Sequence, residues 1–386
     1  MTRTISVVVA SRANYGRIKS VLSAILNHPD FHLDLVLAAS AVLYRFGDVS
    51  QTVLNDGFEI SHKIYSVIEG ETHNTMVKST ASLMSELSTY YSSHRPDAVL
   101  TVADRHETLA TAIAASYANI PLIHTQGGEQ TGSIDDKVRH SITKLSNIHF
   151  PATSLARNNL IAMGENPDYV FNSGCPALDL CRTTDLGTDS IVSPGLGSGV
   201  DIDFSRKYAV IVYHPVTDNL QFAAPTINAL IQFVAQSDLQ FIWLWPNVDA
   251  GSDIISKLLR LARDSNDLFR SKVRFVRSYS PEDYLRVLSN SQLVLGNSSS
   301  FIRECSLLAI PALILGDRQR SRELGPNASN LDGLIDLASL ISAVDQLPKK
   351  GSVSPSNLYS HTMAGEFIAK KLNQLDWPIL KPSLPW

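Results

Sequence analysis

Cysteine is scarce in this sequence, with three residues (Cys175, Cys181 and Cys305) among 386. Their spacing matches neither a Cys-X-X-Cys metal pair nor the framework of a disulfide-rich secreted domain. We therefore expect no metal site and no disulfide framework. A reducing, cytoplasmic location is the default that follows from this cysteine usage.

Long hydrophobic runs and an excess of positive charge are also missing. No apolar run reaches the length that spans a bilayer, and the apolar stretch before Arg12 and Tyr15 lacks a cleavage signal, so we interpret it as a first buried strand. The formal net charge of −4 argues against general phosphate neutralisation on nucleic acid. We expect neither a membrane nor a nucleic acid as partner, while a local site for one small anionic ligand stays open.

The composition is that of a globular protein, with 44% hydrophobic and 18% charged residues, and 386 residues suit two domains. Short apolar runs alternate with helical patterns, which predicts parallel sheets covered on both faces. The fold class is therefore α/β, with two Rossmann-like, doubly wound domains facing a cleft. The predicted strands are Thr4–Ser11, Asp34–Ala39, Ala98–Ala103, Pro121–Gln126, His149–Thr153, Tyr208–His214, Gln240–Trp245, Val273–Arg277, Leu293–Gly296 and Ala312–Gly316.

The alternation is interrupted at Arg182–Phe204, a stretch rich in Gly, Ser, Thr and Asp that reads as a linker. We predict an N-terminal domain over residues 1–182, a linker over 183–206 and a C-terminal domain over 207–363. Residues 364–386 are predicted to form a helix and tail that pack back on the N-terminal domain. In such sheets ligands bind at the carboxyl ends of the strands.

In the first half, polar residues follow the predicted strands directly. Arg12 stands at a strand-to-helix turn, where a cation can meet a phosphate or simply lie on the surface. Asp104 and Arg105 follow the third strand, where a carboxylate acts as a helix cap or as a base. The densest segment runs from His124 to His140 and includes three glycines. It predicts either a buried charged cluster or a surface pair between acids and Arg139.

In the second half, three segments have the chemistry of an anion site. His214 ends a predicted strand. The loop Gly296–Ser300 offers amides and hydroxyls to a phosphate but is not a Walker loop. Glu304 can accept hydrogen bonds from a ribose diol, and the arginines from Arg318 onward form either a diphosphate clamp or a solvated face.

Together these segments resemble the hydrolysing UDP-N-acetylglucosamine 2-epimerases, especially the sialic-acid-pathway branch with the epimerase half of the animal bifunctional enzyme. The order and spacing match over about the whole chain. The resemblance implies two Rossmann-like domains as in GT-B glycosyltransferases, no cofactor or metal, and a homodimer. It rests on Arg12, Asp104-Arg105, GGEQTGSIDDKVRHSITKL from Gly127, HPVT from His214, PNVDAGS from Pro246, GNSSSFIRE from Gly296 and RQRSRE from Arg318.

The resemblance implies a hydrolysing 2-epimerase of amino-sugar metabolism. A base removes the proton on carbon 2 of a UDP-2-acetamido sugar while UDP leaves carbon 1. Water then adds to the glycal and gives the 2-epimeric free sugar of the N-acetylmannosamine type. The predicted catalytic residues are Asp104, Glu129, Asp135, His214 and Gln126. The predicted contacts to UDP and the sugar are Arg12, Arg105, His124, Arg139, Asn297, Ser298, Ser299, Glu304, Arg318 and Arg322.

Three positions depart from the family pattern. Gln126 stands where the animal enzyme has a glutamate, and Val102 and the segment Ala41-Val42-Leu43 replace histidine-bearing positions. Glutamine cannot exchange a proton at neutral pH, so three alternatives stay open. The chain could act on a UDP-2,4-diacetamido-trideoxy sugar, be a GT-B glycosyltransferase, or bind UDP-sugars without turning them over.

Overall fold

The computed structural model describes residues 2–192, 195–217 and 219–378. The chain forms two compact units. Unit 1 contains residues up to 130, residues 134–180 and the segment that begins at Tyr359, and unit 2 contains residues 131–133 and 181–358. Ser193 and Pro194 of the predicted linker, and the part of the predicted tail beyond Pro378, lie outside the described residues.

Unit 1 is built on a six-stranded parallel sheet. Its strands follow the order β3-β2-β1-β4-β5-β6, so the direction of winding reverses between β1 and β4. This reversal is the switch point of the sheet, where loops diverge and ligands bind in such folds. The elements are β1 (Arg3–Val9), α1 (Arg12–Leu26), β2 (Phe31–Ala38), α2 (Ser50–Asn55), β3 (His62–Ile64), α3 (His73–Ser93), β4 (Ala98–Val102), α4 (His106–Tyr117), β5 (Leu122–Thr125), α5 (Ile134–Leu145), β6 (Ile148–Phe150), α6 (Ser154–Ala162) and α7 (Ala177–Thr183), whose last three residues belong to unit 2.

Unit 2 repeats this winding. Its sheet has the order β13-β12-β11-β8-β9-β10-β7, with the switch point between β8 and β11. Every pair is parallel except β7, which lies antiparallel to β10 at the edge. The elements are β7 (Ser198–Gly199), β8 (Tyr208–Val212), α8 (Ala223–Gln236), β9 (Gln240–Leu244), α9 (Ser252–Ser265), α10 (Asp267–Arg270), β10 (Val273–Val276), α11 (Pro281–Asn290), β11 (Leu293–Gly296), α12 (Glu304–Leu307), β12 (Ala312–Leu315), β13 (Ala328–Leu331) and α13 (Leu337–Asp345).

Burial explains why these segments form strands and helices. All five residues of β4 and of β8 are buried, as expected for parallel strands covered on both faces. In α1, the apolar residues at helical spacing face the core with no exposed surface (Ile18, Val21, Leu22 and Ile25). The last helix, α14 (Ala364–Gln374), adds Ile368, Ala369 and Leu372 to the same core. The C-terminal helix is therefore part of unit 1.

Each of the ten predicted strands is present, with ends that differ by up to three residues. The short strands β3, β7 and β13 were not predicted. The predicted linker is held to unit 2, because β7 pairs with β10. Arg286 also donates from Nε to the carbonyl oxygen of Asp185 at 2.9 Å, and Asn290 donates from Nδ2 to that of Leu186 at 2.7 Å. Because the composition of this segment is typical of a loop, these contacts to its main chain could not be predicted from the sequence.

Two global features complete the description. The three cysteines are buried, and none of them is in a disulfide bond. None of the helices within the described ranges is long and apolar enough to cross a bilayer.

Candidate active site

The first group of predicted site residues lies beside the switch point of unit 1. Ser11, two residues after β1, caps α1 by accepting a hydrogen bond from the amide of Asn14 at 3.2 Å. Arg12 is the first residue of that helix and is half-buried. Asp104 follows β4, the neighbouring strand, and one of its oxygens lies 4.0 Å from a guanidinium nitrogen of Arg17. The fold thus brings residues from two distant segments to one edge of the sheet.

A fully buried arginine organises this edge. One terminal nitrogen of Arg139 donates to Oδ2 of Asp104. The other donates to the carbonyl oxygen of Glu129 and to Oδ1 of Asp136, each at 2.7 Å. Burial alone would lower the pKa of Arg139, but the charges of Asp104, Glu129 and Asp136 outweigh it and raise the pKa. Of the two alternatives for this segment, a buried charged cluster and a surface pair with Arg139, the structure has the cluster, because the Arg139 guanidinium is fully buried and its ion-pair partner within α5 is Asp136. Asp135 is half-buried in the first turn of α5.

The loops after β4 and β5 have an unusual backbone. Ala103 and Gln126, the first residues after these strands, have φ of +61°, a region that costs a non-glycine residue about 1 kcal/mol or more and often marks functional sites. Gly128 has φ of +80°, and a Cβ there would lie 2.2 Å from the carbonyl oxygen of Ala156. Only glycine fits this position, which explains one of the glycines in the dense segment.

Gln126 lies inside unit 1 with no exposed surface. Its side-chain amide donates to Sγ of Cys175 at 3.6 Å. Within the described structure, its Oε1 is buried without a hydrogen-bond partner. In this conformation the side chain offers no surface to a dissolved substrate.

His124 is a neutral, buried support for the loop that carries Asp104. Its Nε2 lies 2.8 Å from the carbonyl oxygen of Ala103, and its Nδ1 lies 3.4 Å from Oγ1 of Thr143. Because a carbonyl oxygen can only accept, Nε2 carries the proton. Burial lowers the pKa of His124 to about 3, against the opposing effect of the Ala103 hydrogen bond. The His124 ring was predicted to contact the substrate. In the structure its hydrogen bond to Ala103 holds the main chain next to Asp104.

Arg105 forms a two-point ion pair with Glu107, which the sequence analysis did not single out. Its Nε and one terminal nitrogen lie 3.0 and 3.1 Å from the two carboxylate oxygens. Burial would raise the pKa of Glu107, but Arg105 and His106 lower it overall. The Glu107 carboxylate thus fixes the orientation of the Arg105 guanidinium.

The switch point of unit 2 joins His214, after β8, to Asn297, after β11. The amide of His214 donates to Oδ1 of Asn297 and Nδ2 of Asn297 donates to the carbonyl oxygen of His214, each at 2.8 Å. Asn297 is fully buried and His214 is 6% exposed. Gly296 allows this approach, since a Cβ there would lie 2.0 Å from the carbonyl oxygen of Val212. Asn297, predicted to bind substrate, supports the main chain of His214.

The serine loop forms a chain of hydroxyl groups. Oγ of Ser298 lies 2.8 Å from Oγ of Ser300, which lies 2.7 Å from the hydroxyl of Tyr284 on α11. The loop leads into a 3₁₀ turn, Ser299–Phe301, and then into the one-turn helix α12, which begins at Glu304. Hydroxyl groups and nearby charges, rather than a long helix dipole, are the means available here for holding an anion.

The arginine-rich segment after β12 divides into differently placed side chains. Arg318 is half-buried on a 3₁₀ turn and Arg322 is 6% exposed. Arg320 is exposed and lies 3.5 Å from Asp332. Between them, Gln319 donates from Nε2 to the carbonyl oxygen of Asn297 at 3.2 Å. This contact connects the arginine segment to the serine loop.

Sequence reasoning missed several residues of these clusters. Asp136 and Glu107 had a signal in their short spacing to Arg139 and Arg105. Arg17 and Tyr284 had none, because their contacts depend on the tertiary fold. Among the residues that the structure describes, no group of three or more His, Cys, Asp or Glu side chains is placed to hold a metal ion.

Comparison with known proteins finds a matching family and several relatives of this chain. Residues 23–373 match the family model described as UDP-N-acetylglucosamine 2-epimerase. The chain is 30% identical to the UDP-N,N'-diacetylbacillosamine 2-epimerase (hydrolyzing) of Legionella pneumophila, over 95% of this chain and 94% of that protein. It is 29% identical to the UDP-N-acetylglucosamine 2-epimerase of Neisseria meningitidis, over 92% and 89%.

Solved structures of the same kind share the architecture. The UDP-GlcNAc 2-epimerase of Neisseria meningitidis, solved with UDP-GlcNAc bound, superposes with a TM-score of 0.76 at 17% identity. The match covers 96% of this chain and all of that one. Likeness at this identity shows the fold, which is two Rossmann-like α/β domains of the GT-B-like class, as predicted.

Proposed function

Because this chain belongs to the UDP-N-acetylglucosamine 2-epimerase family, we propose that it hydrolyses a UDP-2-acetamido sugar and inverts carbon 2. The products would be UDP and the 2-epimeric free sugar, of the N-acetylmannosamine type when the substrate is UDP-N-acetylglucosamine. The observation that carries the proposal is the buried Arg139 centre, which fixes the Asp104 carboxylate beside the switch point of unit 1.

The proposed reaction has two steps. In the first, a carboxylate takes the proton on carbon 2, the electron pair of that C–H bond forms the double bond between carbons 1 and 2, and UDP leaves with the pair of the C1–O bond. In the second, water adds its hydroxyl to carbon 1 and carbon 2 receives a proton on the opposite face. The net change consumes one water and needs no oxidant or reductant.

We assign the carbon-2 base to Asp104. Two guanidinium groups, those of Arg139 and Arg17, lie next to its two oxygens, and nearby positive charge favours the ionised carboxylate. Glu129 and Asp135 are the further acids for returning a proton in the second step. Gln126 cannot exchange a proton and has no exposed surface, so we assign it no proton transfer.

We assign UDP binding to unit 2. The hydroxyls of Ser298 and Ser299 and the cations Arg318 and Arg322 match the needs of a diphosphate, which binds donors and positive charge. Glu304 would accept from the ribose hydroxyls. Positive charge and N–H donors at a diphosphate also stabilise its negative charge as it leaves.

A second substrate is favoured by one specific observation. The relative from Legionella pneumophila, 30% identical over 95% of this chain, is named for UDP-N,N'-diacetylbacillosamine. A 2,4-diacetamido-6-deoxy sugar is less polar than N-acetylglucosamine. This chain also has Gln126 and the buried apolar residues Ala41 and Val42 where polar groups were expected.

The proposal is tested by proton NMR in deuterated water with each UDP-sugar in turn. We expect UDP and a free sugar inverted at carbon 2, with deuterium at that carbon. Retention at carbon 2 without deuterium would mean plain hydrolysis. Binding without UDP release, or release only when an acceptor is added, would overturn the proposal in favour of a binding protein or a glycosyltransferase.

Two matched variants separate the roles of the units. Asp104→Asn should lower kcat about 10²- to 10⁴-fold, the usual effect of losing a general base, while the Kd for UDP measured by calorimetry changes little. Arg318→Ala should instead weaken UDP binding about tenfold or more, because it removes a charge-assisted hydrogen bond. Near-normal turnover by a correctly folded Asp104→Asn enzyme would show that Asp104 is not the base.

A further inference from the structure

The segment PNVDAGS, residues 246–252, has no role in the reaction proposed above, although it is one of the motifs of the chain. It follows β9, which is the neighbour of β8 in unit 2. One of its main-chain amides, that of Asn247, contacts the ring of His214. This contact determines which ring nitrogen carries the proton.

The main-chain amide of Asn247 donates to Nδ1 of His214 at 3.2 Å. An N–H group can only donate, so Nδ1 must offer its lone pair and cannot carry a proton. The hydrogen bond made by one ring nitrogen of a histidine decides the state of the other. The neutral ring therefore carries its proton on Nε2.

The carbonyl group of Asn247, on the other side of its Cα from the amide, is held by Ser252, the first residue of α9. Oγ of Ser252 lies 2.5 Å from the carbonyl oxygens of both Asn247 and Asp249, and its single hydrogen serves one at a time. The amide of Ser252 donates to the same oxygen of Asp249 at 3.1 Å. Ser252 is 3% exposed, so water does not compete freely for these bonds.

Asn297 fixes the other half of the arrangement. Its two hydrogen bonds to the main chain of His214, each at 2.8 Å, fix the main-chain position from which the ring extends. The Asn247 amide then sets how the ring is turned. Main-chain position, ring orientation and tautomer are thus each determined by a specific contact.

We propose that Ser252 is a positioning residue: by holding the Asn247 carbonyl it fixes the main chain of that residue, whose amide keeps His214 in the Nε2–H tautomer. In that form the ring donates a hydrogen bond from Nε2 to an anionic oxygen of the leaving diphosphate. This step moves no proton and so leaves the balance of the reaction unchanged. The inference rests on the proposed function for its ligand, but the tautomer is a property of the free protein.

The test is nitrogen-15 NMR of the histidine rings in the full-length protein without ligand, near neutral pH. The His214 signals among the 11 histidines are identified by their loss in His214→Gln. The wild type should show an unprotonated Nδ1 and a protonated Nε2. Ser252→Ala should show partial protonation of Nδ1 and about tenfold lower kcat, since a slightly displaced catalytic group costs about that much or more.

Three variants serve as controls. Ser252→Thr keeps the hydroxyl and should restore the wild-type signals. Asn247→Ala keeps the main-chain amide and should leave the tautomer unchanged. Ser265→Ala removes an exposed hydroxyl, bonded to the carbonyl oxygen of Leu261 at 2.7 Å at the other end of α9, and should change neither the signals nor kcat.

A protonated Nδ1 in the wild type would overturn the inference, as would wild-type signals in Ser252→Ala. Addition of UDP should shift the Nε2 signal of His214, and no shift would contradict the assigned hydrogen bond. If the predicted tautomer is found but no UDP-sugar is turned over, the proposed function fails while the positioning role stands.

Discussion

The switch points of the two sheets differ in the charge of the side chains that meet there. In unit 1, Asp104 meets Arg139 and Arg17, all charged groups, and Arg139 has no exposed surface. In unit 2, His214 meets the neutral amide of Asn297. Apart from the extra edge strand β7 of unit 2, the strand order is the same in both, so the topology determines where these residues lie and the side chains determine their chemistry.

This difference suits two different tasks. In the proposed reaction, taking a proton from carbon requires a carboxylate that is held ionised and correctly oriented, and the guanidinium groups of Arg139 and Arg17 would do both for Asp104. Holding a diphosphate that is already charged requires donors in fixed directions. In unit 2 the His214–Asn297 pair fixes the direction of one such donor with neutral groups, while Arg318 and Arg322 would supply the positive charge. Breaking the charged arrangement in unit 1 should therefore lower the free energy of unfolding more than breaking the neutral His214–Asn297 pair in unit 2.

The largest effect should come from Arg139→Met. The substitution leaves Asp104 and Asp136 without their buried partner, and breaking a buried ion pair in this way costs about 3–5 kcal/mol. The free energy of unfolding should fall by that amount in urea titrations. Arg270→Met is the control, because Arg270 pairs with Asp267 on the surface, where a pair contributes about 1 kcal/mol or less. Equal losses of unfolding free energy in the two variants would show that the buried ion pairs of Arg139 stabilise the protein no more than a surface pair does.

A smaller loss should follow from Asn297→Ala in unit 2. The amide and carbonyl groups of His214 would lose their partners in a buried place, and an unsatisfied buried group costs about 1–3 kcal/mol. We expect the free energy of unfolding to fall by about 2 kcal/mol, with no charge left unpaired. Asn290→Ala, which removes a half-exposed hydrogen bond to Leu186, should cost less. A loss of unfolding free energy as large as that of Arg139→Met would contradict the expectation that breaking the neutral His214–Asn297 pair costs less than breaking the ion pairs of Arg139.

The sequence was informative about the fold because alternating apolar runs report burial directly. It was also informative about where polar groups leave the strands, which placed Asp104, His214 and Asn297 at sheet edges. It could not identify their partners. Asn297 bonds to a residue 83 positions away, and Asp104 to one 35 positions away. Such pairs are set by the winding of the sheets and not by local spacing.

The helix periodicity gave a misleading partner in one case. Spacing suggested a surface pair at i, i+4 in α5, whereas Arg139 is turned inward and bonds to Asp136 at i, i+3. Likewise, His124 was grouped with substrate contacts because it lies among charged residues. Its side chain points to the carbonyl oxygen of Ala103, which only the three-dimensional structure could indicate.

The smallest effect, when measured over a single pH unit, is the pH dependence caused by His124. Its pKa is about 3 in the folded protein and 6.5 in the unfolded chain. Between these values the unfolded state binds a proton that the folded state does not, so stability is lost as the pH falls below 6.5. The slope should approach about 1.4 kcal/mol per pH unit. In His124→Gln, which does not titrate, the slope of the unfolding free energy against pH should be smaller by that amount. His32→Gln, at an exposed position, should leave the slope unchanged, and equal slopes in the wild type and His124→Gln would show that His124 is not buried in its neutral form.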